Sequence, residues 1–177
     1  EEFGMRRGMA DVLNDLGESA RHSGNLDVAD QHYKAAVEIF RALGDPEMAI
    51  PRLNRGLVMF ERGRHQHARL FLEGCLETYR RQGRKSLQAT THVCLLGCTA
   101  ALEDWKACDA HLTWSQLLLS QTGMVAEDIA RLAEYAAEQA HTKDHEQLAQ
   151  DAWKLAQSQW AALGHPDRAN AIETRRS

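Results

Sequence analysis

One segment of this chain occurs twice, and that repetition limits the available folds more than any other feature. The stretch 24–49 returns about 120 residues later as 144–169, with the same alanines, leucine, glycine and proline at matching positions. Tyr33 and Phe40 are replaced in the second copy by Trp153 and Trp160, so both aromatic positions keep a ring. Repetition at this distance predicts a chain built from similar units that stack on one another.

Fainter copies between these two segments set the length of the unit. The turn glycine Gly24 aligns with Gly63, then with Glu103 and with Asp144, at intervals of 39, 40 and 41 residues. One unit therefore occupies about 40 residues. The predicted organisation is a single superhelical domain whose parts are 5–44, 45–83, 84–123, 124–164 and a terminal helix at 165–177.

Each unit carries two stretches of helical periodicity. Apolar or small residues recur at helical spacing before Gly24 and again from Leu26 to Phe40, so the first unit reads as a helical hairpin. The whole chain has only 12 Gly and 3 Pro, and it is rich in good helix formers. We expect an all-α fold with essentially no sheet.

The junction between the first two units is marked by Gly44, Asp45 and Pro46. Glycine suits the residue after a helix, aspartate caps the next helix, and proline suits its first position. Pro51 then lies a turn inside the helix that this junction would start, where proline removes a hydrogen bond. The sequence predicts that the helix there starts late or bends.

Charge and hydropathy exclude several classes of function. The chain has 21 basic and 25 acidic residues, a net charge of −4, and its basic residues are spread along the sequence. This argues against nucleic acid as a partner. No apolar run is long enough for a membrane span and no signal peptide is evident, which favours a cytoplasmic protein with no membrane partner. Because the chain lacks an initiator Met, we expect it to be part of a longer protein.

The motifs inside the units resemble those of the tetratricopeptide repeat family. Leu16-Gly17, Gly24-Asn25, Ala29, Tyr33 and Ala36 match the family pattern in the first unit, as do Ala149, Trp153 and Ala156 in the fourth. The resemblance implies a right-handed α-solenoid of about four hairpins plus a C-terminal helix. It also implies a protein–protein interaction or scaffold module. The sequence shows no phosphate-binding glycine loop, no Ser/His/Asp arrangement and no paired carboxylates in a plausible pocket, so we predict no enzymatic activity and no cofactor.

In this family the first helices of the hairpins line a concave groove that binds a peptide, a helix or a partner domain. The resemblance assigns this role here to Asn14, Glu18, Arg21, Leu53, Leu57, Phe60, Val93 and Ala100. Asp11 and Ile50 occupy further lining positions. Of the lysine, asparagine and arginine set that binds a peptide carboxylate in some members, only Asn14 and Arg21 are present, so that specificity is not predicted.

The repeat length of about 40 residues resembles a variety found in bacterial multidomain signalling proteins, such as kinases and signalling ATPases. This implies a regulatory part of a larger protein. Two alternatives remain open. The chain could be a self-association module that forms a homodimer through its end faces, its Ala-rich fourth unit and the segment 166–176. It could also be a helical effector domain that senses a small molecule.

Residues that could carry chemistry have simpler explanations from packing. Cys94, Cys98, Cys108 and His111 would make a zinc ligand set, but the cysteines fall at positions where the repeat prefers small buried residues. We therefore predict packing cysteines and no metal. The four tryptophans, Trp105, Trp114, Trp153 and Trp160, are predicted to be core. Arg55 occupies a slot that is leucine in two other units, so it must snorkel, pair with an acid or point into the groove.

Overall fold

The computed structural model describes residues 2–176, and every regular element in that range is helical, which confirms the all-α prediction. The helices pack in sequential pairs. The elements are α1 (Glu2–His22), α2 (Leu26–Leu43), a 3₁₀ turn (Pro46–Met48), α3 (Ala49–Glu61), α4 (His65–Arg81), α5 (Lys85–Ala101), α6 (Trp105–Thr122), α7 (Glu127–Thr142), α8 (Glu146–Ala162) and α9 (Pro166–Arg176). The chain divides into two compact parts, one up to Cys75 and one from Leu76. From here on we call these parts the first and second unit, and we call each 40-residue repeat a hairpin.

The turn positions predicted from the repeat share one backbone conformation. Gly24 and Gly63 have φ of 78° and 70°, and the aligned residues Glu103 and Asp144 have φ of 56° and 62°. All four lie in the left-handed region, which side chains with a Cβ rarely adopt. The hairpin turn therefore requires this conformation even in the two hairpins whose turn residue is not glycine.

The junction after the first hairpin has the predicted chemistry. Gly44 is left-handed at φ 64°, and Asp45 Oδ1 accepts a hydrogen bond from the Glu47 amide at 2.9 Å. Pro46 begins a short 3₁₀ turn and α3 begins only at Ala49, so the predicted late start is confirmed. Pro51 thereby falls in the first turn of α3, where a backbone N–H would have no helical partner.

In the first unit, α1 packs on α2 and α2 packs on α3. Buried Tyr33 and Phe40 on α2 are central to two small apolar clusters. Two helical glycines make the close approach possible. A Cβ added at Gly17 would lie 2.6 Å from the Tyr33 ring, and one at Gly56 would overlap the Leu72 side chain.

In the second unit, α5 packs on α6 and α7, and α8 packs on α7 and α9. Small side chains on α7 allow close packing; the buried ones are Ala130, Ala133, Ala136, Ala137 and Ala140. Trp153 and Trp160 are core residues, as predicted, whereas Trp105 is half-buried. The core prediction is wrong for Trp114, which is 48% exposed. Its ring stacks over the buried imidazole of His92 at 6.0 Å, so it covers the core from outside.

Arg55 adopts one of the three arrangements that the sequence left open. Its Nε donates to Asp30 Oδ1 at 2.8 Å, and its guanidinium lies 5.9 Å from the centre of the Phe71 ring. Burial raises the pKa of Asp30, but hydrogen bonds from Lys34 and Arg55 and their positive charges outweigh burial and lower it overall. Arg55 therefore joins α3 to the preceding hairpin as half of an ion pair.

Candidate binding surface

The residues predicted to line a groove differ widely in accessibility. Asn14, Glu18 and Phe60 are half-buried, whereas Arg21, Leu53 and Leu57 are buried in the first unit. Val93 and Ala100 are buried within α5 of the second unit. The three apolar residues Leu53, Leu57 and Val93 therefore present little surface to a partner. Phe60 packs against the His65 ring, with the two centroids 5.0 Å apart.

Two polar pairs connect the first helices of the first unit. Asn54 Nδ2 donates to Asn14 Oδ1 at 3.1 Å, and Arg21 Nη1 donates to Glu61 Oε1 at 2.7 Å. The partners in each pair are 40 residues apart, which is one repeat. Arg21 is thus already engaged by a carboxylate from the next hairpin, so its charge is satisfied before any ligand arrives.

A pocket of about 210 Å³ opens beside Asn14 in the first unit. The buried side chains of Phe40 and Pro51, with half-buried Ile50, supply its apolar lining. Carboxylates supply the rest, because Asp11 and Asp15 on α1 are exposed and Glu47 of the 3₁₀ turn is half-buried. No lysine or arginine lines this pocket. The geometry combines apolar contact with negative charge in a space suited to one side chain.

Sequence reasoning named only part of this pocket. Asn14 was a predicted site residue, and Asp11 and Ile50 were predicted lining positions. Asp15, Glu47 and Pro51 were missed, because Asp15 is outside the family slots and the other two belong to the junction between hairpins. The signal that could have found them is the displaced helix start, since the 3₁₀ turn places Glu47 at the pocket that Pro51 lines.

A second concave feature lies between α6 and α8 in the second unit. This cleft of about 390 Å³ has buried Leu119 and Leu155 among its lining residues. Gln159 organises one wall, because its Nε2 donates to the Met124 carbonyl at 3.3 Å and its Oε1 accepts from the Ala126 amide at 3.2 Å. Both bonds hold the segment between α6 and α7, so the cleft is a formed feature of this unit.

The cysteines do not form a reactive or metal-binding site in the described residues. All four thiols are buried, as the packing interpretation predicts. Burial, with smaller contributions from the Asp109 and Asp104 charges, raises the pKa of Cys108 to about 12, so this thiol stays protonated. Within residues 2–176, no three His, Cys, Asp or Glu side chains are grouped so that they could hold a metal.

None of the helices described for residues 2–176 combines the length and hydropathy needed to cross a bilayer.

Paired helices, left-handed turns at a regular interval and bonds between residues 40 apart define a helical repeat protein. The class is therefore an array of helix hairpins, as the sequence predicted. Residues 8–81 match the model of the tetratricopeptide repeat family.

A solved structure shows the same fold over a longer part of the chain. The crystal structure of BtubC (BKLC) from P. vanneervenii superposes with a TM-score of 0.67 at 14% sequence identity. The match covers 97% of this chain and 79% of that one. At this identity the likeness concerns the fold alone. No curated protein sequence matches the chain.

Proposed function

We propose that this protein is a binding module for a basic segment of a protein partner, held at the acid-lined pocket of the first unit. Tetratricopeptide repeats are in general protein–protein interaction modules, and the family match describes a repeat and not a catalytic domain. The pocket itself is the observation that supports a basic segment as the ligand. It combines three carboxylates with three apolar side chains and includes Asn14, a predicted site residue.

The chemistry of the pocket specifies the kind of ligand. A lysine or arginine carries an apolar stem and a charged head, so it can contact Phe40, Ile50 and Pro51 while its cation meets the carboxylates. Asp11 and Asp15 follow each other by one turn on α1 and are both exposed. Their charges attract a basic segment before contact and disfavour an acidic one.

A selection experiment with a matched charge reversal tests this proposal. A displayed peptide library is selected on the purified chain, and the enriched peptides are measured on wild type, on Asp11→Lys/Asp15→Lys and on Glu38→Lys. Glu38 is an exposed carboxylate on α2 that does not line the pocket, so it controls for a change of overall charge. The experiment also avoids Leu53 and Leu57, whose replacement by charged residues would disturb the core.

We expect the enriched peptides to carry Lys or Arg beside apolar residues. The double reversal should weaken their binding by about tenfold or more, since it replaces attraction by repulsion at two positions. Glu38→Lys should change binding far less. Peptides without a basic residue, or equal binding to the double reversal and wild type, would contradict the proposed site.

The small-molecule alternative is favoured by one observation, the cleft between α6 and α8. Its volume of about 390 Å³ falls within the roughly 300–1,000 Å³ of small-molecule sites. A thermal-shift screen tests it, because a ligand that binds only the folded state raises the melting temperature. A metabolite whose effect disappears in Ser158→Lys, at an exposed residue of the cleft lining, would support a small-molecule site, provided that the effect is intact in Ser86→Lys, at an exposed residue of α5 outside the cleft. The absence of any stabilising metabolite would argue against it.

The wider setting remains a proposal from the family resemblance. We infer that the chain forms a single superhelical domain and acts as a cytoplasmic regulatory part of a larger bacterial signalling protein. The open reading frame around the coding sequence tests this inference. A kinase or ATPase domain in the same frame would support it, whereas an isolated frame of this length would contradict it.

A further inference from the structure

Helix α6 presents two large apolar side chains to solvent one turn apart. Trp114 is 48% exposed and Leu117 is 46% exposed. Exposed Ala110 and Gln121 continue the same side of the helix, because the four positions are spaced by four, three and four residues. We call these four residues the α6 face. Single exposed apolar residues are ordinary, whereas neighbouring ones at helical spacing can contact a partner together.

The repeat shows that the α6 face departs from the other hairpins. When the hairpins are aligned on their left-handed turn residues, the position of Leu117 is held elsewhere by exposed polar residues, namely Glu38, Glu77 and Ser158. Trp114 stands where the first two hairpins have small residues, Ala35 and Gly74. Stacking of the hairpins therefore does not require an exposed apolar pair at these positions, which favours a separate role for it.

Basic side chains border the α6 face. Lys85 Nζ donates to Gln121 Oε1 at 3.0 Å, so this ammonium group lies at one end of the face. Arg80 approaches Trp114 through His92: its Nη2 lies 3.5 Å from Nε2 of His92, whose ring stacks on the indole of Trp114. The apolar pair thus has a positive charge on either side of it along the helix.

Carboxylates are scarce beside the α6 face. Helix α6 has one acidic residue, Asp109, which lies on another side of the helix and lines a pocket at the α7–α8 turn. Lys106 is exposed one turn before the face. The bordering segment 77–85 has four basic residues and one acidic residue, and that acid, Glu77, already pairs with Arg81 at 3.6 Å. The surroundings of the face therefore carry a net positive charge.

We propose that the α6 face binds an acidic amphipathic helix of a protein partner. The apolar side chains of that helix pack on Trp114 and Leu117, and its carboxylates pair with the bordering Lys and Arg side chains. The spacing of four, three and four is the one by which two helices interdigitate. Tryptophan and arginine are also the residue types that most often dominate binding energy at protein interfaces.

Two observations separate this site from other occupants and from the pocket of the first unit. A membrane surface needs a wide apolar face, but α6 directs its other large apolar side chains, Leu112, Leu118 and Leu119, into the core. None of the residues of the α6 face lines the acid-lined pocket. The two sites also attract ligands of opposite charge, so each can be tested while the other is intact.

Selection of displayed helical peptides on the purified chain tests the proposal. The library fixes apolar residues at helical spacing and varies the remaining positions among acidic, basic and neutral residues. We expect net-acidic peptides among the enriched sequences. Leu117→Glu should weaken their binding by about tenfold or more, and so should Lys85→Glu/Lys106→Glu, because the first removes an apolar anchor and the second reverses two bordering charges.

The controls separate the α6 face from general effects. Leu117→Glu introduces the residue type that two other hairpins carry at this position, so the fold should be retained. Leu70→Glu changes another exposed leucine, on α4, and should leave binding of the acidic peptides unchanged. Asp11→Lys/Asp15→Lys should not weaken it either, although that variant loses the basic peptides. Enrichment without acidic peptides, or equal binding to Leu117→Glu and wild type, would overturn the proposal and leave the pocket proposal standing.

Fluorine NMR locates the contact on the chain labelled with fluorotryptophan. The Trp114 resonance, assigned with Trp114→Phe, should shift when an enriched acidic peptide is added, whereas that of buried Trp160 should stay. An unchanged Trp114 resonance would overturn the proposal. Two further measurements address other occupants: binding to phosphatidylserine vesicles, or dimer formation in sedimentation, that is lost in Leu117→Glu would assign the α6 face to a membrane or to a second copy instead.

Discussion

The carboxylate of Glu103 and the ammonium of Lys143 lie 2.6 Å apart, and these residues are 40 positions apart in the chain. Glu103 makes this contact from a left-handed backbone with φ of 56°, at a turn position that is glycine in the first two hairpins. Its side chain is 56% exposed, so the ion pair contributes little to stability. The backbone strain is therefore the larger effect at this residue.

We predict that Glu103→Gly stabilises the protein. The left-handed conformation costs a residue with a Cβ about 1–2 kcal/mol, whereas the exposed ion pair contributes only a few tenths, so the net gain should be about 1 kcal/mol. Chemical denaturation measures the difference. Glu103→Ala is the control, because it removes the ion pair and keeps the strain. A Glu103→Gly chain no more stable than Glu103→Ala would contradict the argument.

We predict that Gly17→Ala destabilises the protein by about 1–3 kcal/mol, because the added methyl group overlaps the buried Tyr33 ring. Gly74→Ala on α4 makes the same chemical change where no atom lies within 4 Å of the new Cβ. That control should gain about 0.5–1 kcal/mol from better helix propensity. Opposite signs in urea unfolding would support close packing of α1 on α2; two stabilising substitutions would contradict it.

Acid should destabilise the protein partly through His92. Burial, with smaller contributions from the His111 and Arg80 charges, lowers the pKa of His92 from 6.5 to about 3. The unfolded chain therefore takes up a proton below pH 6.5 that the folded chain accepts only near pH 3. The stability that neutral His92 contributes is complete above pH 6.5 and is lost as the pH falls towards 3.

The His92→Gln variant measures this contribution, because glutamine does not titrate. Its side-chain amide offers both a donor and an acceptor in place of the two ring nitrogens that contact Arg80 and His111. Between pH 7 and pH 5, the free energy of unfolding should fall by about 2 kcal/mol more in the wild type than in His92→Gln. Equal losses in the two proteins would show that His92 titrates at its ordinary pKa in the folded state.

The native thiols should resist modification. Because Cys75, Cys94, Cys98 and Cys108 are buried, a disulfide reagent added at pH 8 should label the native protein only at the rate of unfolding. In denaturant all four should react at once. Met5→Cys provides an exposed thiol as the control and should react immediately. Rapid labelling of a native cysteine would contradict the packing role.

The backbone of the repeat was predictable because its signals are local. Gly24 and Gly63 mark the turn directly, and the repeat interval extends the assignment to Glu103 and Asp144, whose own side chains would not suggest it. Pro51 predicted the late start of α3 for the same reason, because proline has no N–H to donate to the residue four positions before it. These features depend on neighbouring residues, which the sequence presents in order.

Accessibility was harder to predict because it depends on what lies on the other side of a helix. Trp114 and Trp153 both suit a core, yet Trp114 is half exposed. Leu53 and Leu57 occupy positions that the family assigns to a groove, but other parts of the protein bury them. The carboxylates of the pocket converge from α1 and the 3₁₀ turn, which no sequence pattern connects.

By itself, the sequence determined an all-α chain of tetratricopeptide-like hairpins, the positions of its turns and the helical spacing of its apolar residues. These features follow from backbone preferences and from a repeat interval that can be read along the sequence. Only the tertiary structure decided that Arg55 pairs with Asp30, that Arg21 is engaged by Glu61 and that Trp114 is half exposed. Such outcomes depend on distances between side chains from different helices, and packing alone sets those distances.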